Sequence, residues 1–223
     1  MNYSNVLQGI ENAKRFLRPH TQIDCVLTET GSSVVSWRGR KPGVFKNTYY
    51  PMEYQYLIDH QQYSILLSDG SFFQFYYAFS DNQLTKARLA YYPRPIATSD
   101  SVDELENAAE GAIDRFDEDL YEHLFNWIEL LDLQGKSPSN TSHIRFDYDA
   151  NVTSHCKSHI QFGGVQELRV PSRCFPLPLV FIEMCIPIFS EGVLGDVEPL
   201  DLVFEQNNVY QTDRPNELLI LSI

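Results

Sequence analysis

The chain is poor in the groups that would carry it to polyanions or into lipid. Its 17 Lys and Arg stand against 30 Asp and Glu, a formal net charge of −13 over 223 residues. Non-specific nucleic-acid binding rests on cations that neutralise phosphates, so nucleic acid is reachable only through a local basic site. No segment approaches the roughly 20 apolar residues that span a bilayer, and the opening residues carry no leader pattern, so a cytoplasmic protein without a membrane partner is expected. Four cysteines, Cys25, Cys156, Cys174 and Cys185, form no Cys-x-x-Cys pair, which argues for reduced thiols. There is no Walker loop, no Gly-x-Gly-x-x-Gly, no Gly-x-Ser-x-Gly and no His-Glu-x-x-His. Those absences remove nucleotide-loop enzymes, dinucleotide folds, α/β-hydrolases and zincins.

Aromatic residues are plentiful, with 13 Tyr and 14 Phe, and aromatics suit a pleated, half-buried surface. Residues 4–17 space apolar positions by three and four and predict a helix that stops before Pro19. Residues 22–37 read as two strands around Gly31. Tyr63–Ser68 and Ser71–Phe79, joined by Asp69-Gly70, read as a hairpin, because both turn positions favour positive φ. A second turn, Ser80–Gln83, leads into Leu84–Tyr92, which Pro93 and Pro95 end. Trp37–Lys41 is the dense basic run of the chain and reads as a solvated loop.

Residues 101–133 change character. Ser101 and Glu104 make a capping box, and Ile113, Phe116, Leu120, Leu124, Trp127-Ile128 and Leu131 recur at helical spacing. Gly111 is expected to split the region into two helices. Eleven acids lie between residues 103 and 132 against Arg115 alone. They read as a solvated helix face, with a docking surface for a basic partner as the sharper reading. Residues 143–149, 157–162 and 167–170 form a second meander. Leu179–Ile186, with prolines at its start and Pro187 after it, reads as a buried helix. Leu218–Ile223 reads as a strand that closes a sheet edge or binds a partner. The fold class is α+β: antiparallel β-meanders packed with an acidic helical region and one apolar C-terminal helix. It forms one domain over 1–223, with subdomains 1–97 and 98–223 as the alternative division.

Chemistry concentrates in His143-Ile-Arg-Phe-Asp-Tyr-Asp149 and the following His155 and His159. Strand alternation places His143, Arg145, Asp147 and Asp149 on one face and Ile144, Phe146 and Tyr148 on the other. The histidines and aspartates have the ligand types of a zinc site. However, His155 and His159, four apart, would lie about 13 Å from one another on a strand, so neither a metal nor another cofactor is expected. A metal-independent ribonuclease needs a base for the 2′-hydroxyl, an acid for the leaving oxygen and a cation for the phosphorane. Histidines suit the first two roles, and Arg145, Lys157 or Arg169 the third. The candidate catalytic set is His143, Arg145, Asp147, His155, His159 and Arg169. The competing reading is structural: Arg145 and Asp147, two positions apart on one face, simply pair.

Asp69-Gly70-Ser71, Arg88-Leu89, Pro93, His143, Arg145–Asp149, His155, His159 and Arg169–Pro171, in this order, resemble a bacterial family known as domain of unknown function 2290, over about residues 50 to 190. The histidine-bearing half is also similar to small bacterial toxin proteins with an Arg-Phe/Tyr-Asp strand before clustered histidines. This chain departs from them after His159, where Ile160 and Gln161 stand. The resemblance implies a bacterial or phage-encoded protein of a defence or toxin–antitoxin locus. The resemblance supplies no activity, and two functions are expected from the residues themselves. One is an accessory subunit that binds a protein partner through the acidic helices or the C-terminal strand. The other is a ribonuclease-like toxin that uses the His/Arg/Asp cluster.

Overall fold

A computed structural model describes residues 1–28, 33–41, 50–95, 102–134, 142–163, 168–187, 193–196 and 209–211. Helix α1 (Tyr3–Leu17) leads into β1 (Thr21–Asp24), β2 (Val26–Thr28), β3 (Val34–Trp37), α2 (Tyr50–Asp59), β4 (Ile65–Leu67), β5 (Phe72–Ser80) and β6 (Gln83–Tyr92). Then come α3 (Val102–Asp114), α4 (Glu118–Gln134), β7 (Ile144–Asp149), β8 (Ser158–Phe162), β9 (Arg169–Pro171), β10 (Cys174–Pro176), α5 (Pro178–Cys185) and β11 (Val209–Gln211). The chain is α+β, and it divides into two compact units, residues 1–94 with 142–223 and residues 95–141. None of the described helices is long and apolar enough to cross a membrane.

In the first unit the two expected meanders are one sheet. Among the described residues nine strands join in an antiparallel sheet of order β1-β4-β5-β6-β7-β8-β9, with β3 also on β5 and β2 on β3. Residues 22–37 thus supply three strands where two were expected. The Asp69-Gly70 turn forms: Ile65 pairs with Phe73, Gly70 has φ +91°, and Asp69 Oδ1 accepts from Ser71 N at 2.9 Å. At the next turn Asp81 and Asn82 both take positive φ, which matches the twist of the strands they join.

The sheet's two faces differ because alternate residues differ. Phe73, Phe75, Tyr77, Leu89, Tyr91, Phe146 and Ile160 belong to one buried cluster with Val6, Ile10, Ala13 and Leu17 of α1 and Phe181, Ile182 and Cys185 of α5. Each such large side chain stabilises the fold by about 1.5–3 kcal/mol on burial. Asn2 caps α1 by accepting from Asn5 N at 2.9 Å. Gly9 lets α1 approach the start of α5, since a Cβ there would meet Leu177 and Pro178 at 3.2 Å. Helix α5 is apolar nearly all round, Glu183 being its one charged residue, and opens on Pro178, as its composition predicts.

On the opposite face, Tyr50, Tyr54 and Leu57 of α2 pack on Phe72, Ala90 and Tyr92. Tyr54 Oη donates to Gly70 O at 2.7 Å, and Tyr50 Oη donates to Pro93 O. These residues occupy the Phe72–Tyr92 end of the sheet. Successive rows beyond it are polar.

In the second unit α3 and α4 pack on one another. Gly111 lies inside α3, and the break falls at Arg115–Asp117, where Phe116 has φ +59°. Ala109 and Ala112 are buried, whereas Ile113 and Phe116 are 53% and 93% exposed and Leu120 and Phe125 are exposed too. The apolar stripe is therefore not a continuous buried seam, because the left-handed residue resets the helical phase. Ser101 and the C-terminal run 218–223 lie outside the described residues.

Candidate functional site

Strand β7 behaves as its alternation dictates: Ile144, Phe146 and Tyr148 are buried in the core and the intervening residues are half-buried. Register then decides which side chains meet. Ala90, Arg145, Gln161 and Arg169 are cross-strand partners in one row. Tyr76, Arg88, Asp147 and His159 form the next, and Ala78, Lys86 and Asp149 the next. Residues opposite one another in antiparallel strands share a face at contact distance.

Asp147 is clamped from both sides. Arg88 Nε donates to its Oδ1 at 2.8 Å and Arg145 Nε to its Oδ2 at 2.6 Å. Arg145 Nη2 donates to Gln161 Oε1. Burial alone would push the Asp147 carboxyl up, but the two guanidiniums override it and hold it below its ordinary value. The carboxylate is thus ionised and spoken for, which is the structural pairing weighed from the sequence.

The three histidines do not converge. His143 lies beneath α2, with ring centroids 4.7 Å from Tyr92 and 6.2 Å from Tyr50. Its Nδ1 is 3.7 Å from Glu53 Oε2 and has no hydrogen-bond partner. Burial, then the charges of Arg145 and Arg88, push its pKa down to about 4. Glu53, buried, has its carboxyl pKa raised, and Tyr92 Oη donates to it at 3.3 Å. The His143–Glu53 contact is therefore a neutral imidazole beside a reluctant acid, and not an ion pair at neutral pH. Gly163 leaves the room for it, because a Cβ there would stand 2.6 Å from His143 Cε1.

His159 sits two rows further on, about 13 Å along the strands, opposite Asp147. Burial lowers its pKa, with Asp147 pulling the other way, and its Nδ1 is buried without a partner. His155 packs against it edge to face, ring centroids 5.1 Å apart. The separation expected from strand spacing fails because β8 begins at Ser158 and His155 lies in the preceding turn, where Ser154 Oγ meets its Nδ1 at 2.9 Å. Arg169, exposed, stands across from Gln161.

Sequence reasoning assembled the β7 face and the His155–His159 segment but missed Arg88 and Glu53. Arg88 carried a signal in the same parity as Lys86 on β6. Glu53 belongs to α2, which was not foreseen. Among the described residues no group of three or more His, Cys, Asp or Glu is placed to hold a metal ion.

The family described as Uncharacterized conserved protein (DUF2290) has a model that matches residues 18–197, beginning upstream of the expected residue 50. No curated protein and no solved structure matches the chain.

Proposed function

We infer a function from this sheet face, taking as premise that the chain belongs to the DUF2290 family: a ribonuclease-like effector of a bacterial defence or toxin–antitoxin locus. The observation that carries this reading is the His155–His159 pair, 5.1 Å apart beside Asp147. His159, kept neutral by burial, takes the proton of an RNA 2′-hydroxyl. That oxygen attacks the adjacent phosphorus, and His155 gives a proton to the departing 5′-oxygen. The products are a 2′,3′-cyclic phosphate and a free 5′-hydroxyl, so both protons are accounted for. Arg169 supplies the cation for the phosphorane charge, with Arg145 in the same row. His143 has no proton-transfer role here, because it lies two rows away under α2. The acidity of the whole chain is offset locally, where Arg88 and Arg145 bracket one carboxylate and Arg169 stands in the neighbouring row.

A labelled single-stranded RNA and its 2′-O-methyl analogue test the reading. Cleavage of the first but not the second is expected, falling at least about 100-fold in His155→Ala and in His159→Ala. A wild type that cuts neither strand, or variants that cut as well as it does, would end the strand-cleavage assignment.

A second reading has its own support. The α3–α4 unit is acidic and exposes Ile113, Phe116, Leu120 and Phe125, as an accessory subunit that docks a basic protein partner would. Pull-down from the native operon with a Phe116→Asp variant as control tests it: a partner lost with that variant supports docking, and one retained counts against it.

A further inference from the structure

The basic run Trp37–Lys41 reads from the sequence as a solvated loop, yet the structure pins it. The buried side chain of Gln62 accepts from Lys41 N at 2.8 Å and from Trp37 Nε1 at 3.4 Å. Its amide donates to Gly39 O at 3.1 Å and His60 O at 2.9 Å. Gly39 has φ +70°, a conformation glycine takes without a Cβ penalty. The loop doubles back there, and Arg40 N donates to Trp37 O at 3.3 Å. Three hydrogen bonds from one buried amide to this loop are the mark of a loop held in a single conformation.

The consequence is the position of Arg40. Its guanidinium lies 3.8 Å from the ring centroid of Tyr76 and 5.7 Å from that of Trp37. Tyr76 is the cross-strand partner of Arg88. The pinned loop therefore extends the row Tyr76–Arg88–Asp147–His159 by a second guanidinium. Burial, and then repulsion from Arg88, lowers the pKa of Arg40, with Tyr76 opposing. Arg88 commits its Nε to Asp147. Among the described residues no carboxylate forms an ion pair with Arg40, and Arg88's terminal nitrogens have no hydrogen-bond partner. Two half-buried like charges beside an aromatic wall are stabilised by an anion placed between them, and planar guanidiniums match the oxygens of phosphate.

We propose that Arg40 and Arg88 form a phosphate-binding subsite, which takes the phosphate group of a nucleotide or of a nucleic-acid strand next to the His155–His159 pair. The subsite rests on the reading of this face as one that takes phosphate esters, and not on strand cleavage. It gives the chain the local basic site that its overall charge otherwise denies it.

Binding by the full chain carrying His155→Ala and His159→Ala, so that no probe is consumed, tests the subsite. The probes are a fluorescein-labelled oligoribonucleotide of about ten residues, which suits single-strand site sizes, and adenosine monophosphate. Titrations run across a salt series. Adding Arg40→Gln should weaken the probe that binds by about tenfold, the worth of one charge-assisted contact. For the oligonucleotide it should also flatten the log–log salt slope by about 0.7. Adding Arg38→Gln, on the same loop but exposed, serves as the charge control. Arg40-dependent binding of the oligonucleotide alone supports the subsite and assigns it to a strand. The same dependence with the mononucleotide supports it and assigns a free nucleotide. Failure of the parent to bind either probe, an Arg40→Gln curve that overlays the parent, or an equal loss with Arg38→Gln overturns it. A strand bound through Arg40 but never cut by the wild type would refute strand cleavage and leave the subsite standing.

Discussion

Replacing Asp147 by Asn removes the carboxylate that Arg88 and Arg145 share while keeping its shape. Both arginine Nε groups then face an amide with only one accepting oxygen. Breaking a buried ion pair from one side costs about 3–5 kcal/mol, because the remaining charge is left uncompensated. The lower figure, about 3 kcal/mol, applies here: 30% of the Arg88 side chain is still in water, and Arg145 retains Gln161. Hydrogen exchange of the Leu89 and Phe146 amides reads the stability of this part of the sheet directly. Protection should fall by about two orders of magnitude. The pH dependence is a second check. The Asp147 pKa is lower folded than unfolded, and an unfolded aspartate titrates near about 3.9. Its contribution is fully present above that value and is lost as pH falls through the folded pKa. The gap between wild type and variant should be flat from neutral pH down to about pH 5 and should close in stronger acid. A gap below about 0.5 kcal/mol at pH 7, the ordinary range of surface substitutions, or a gap that persists in strong acid, would refute the clamp.

Gly163→Ala should destabilise the sheet by about 2 kcal/mol through overpacking, since its Cβ would lie 2.6 Å from both His143 Cε1 and Ser142 Oγ. A thermal melt measures this, and adding His143→Ala should restore part of the loss by clearing its share of the space; no recovery would mean the His143 contact is not the cause. Phe116→Gly should stabilise the α3–α4 unit by about 1 kcal/mol, because its left-handed φ of +59° carries a Cβ penalty that glycine lacks. Followed by circular dichroism, a lower melting temperature would count against that strain.

What could be read from the sequence was what depends on local period and turn chemistry. The Asp69-Gly70 hairpin, the α1 stripe and the two faces of β7 all follow from residues near one another in the chain. The union of the two meanders did not, because the β6–β7 pairing joins segments that the second unit separates. Helix α2 was missed because its tyrosines suit strands as well as helices, and its helical cue is only Pro51 at the start with Tyr50, Glu53, Tyr54 and Leu57 on one side. With α2 unseen, Glu53 and the burial of His143 were unseen too. The α3–α4 stripe was read as one seam because periodicity does not register a left-handed turn. Arg40 was set aside as a solvated charge because nothing in a basic pentapeptide announces a distant glutamine that will immobilise it.

The Arg88–Asp147 pair has a mechanical meaning beyond its local energy. It straddles the joint between β6 and β7, whose covalent tether is the whole of residues 95–141. Closing a loop of about 50 residues costs about 2 kcal/mol more in chain entropy than closing a four-residue turn. This joint, slackly tied along the backbone, is where ionic cross-bracing is stationed. Strong acid would therefore act on the sheet as on a hinge whose pin has been drawn, parting it along an interior seam rather than fraying it from a rim.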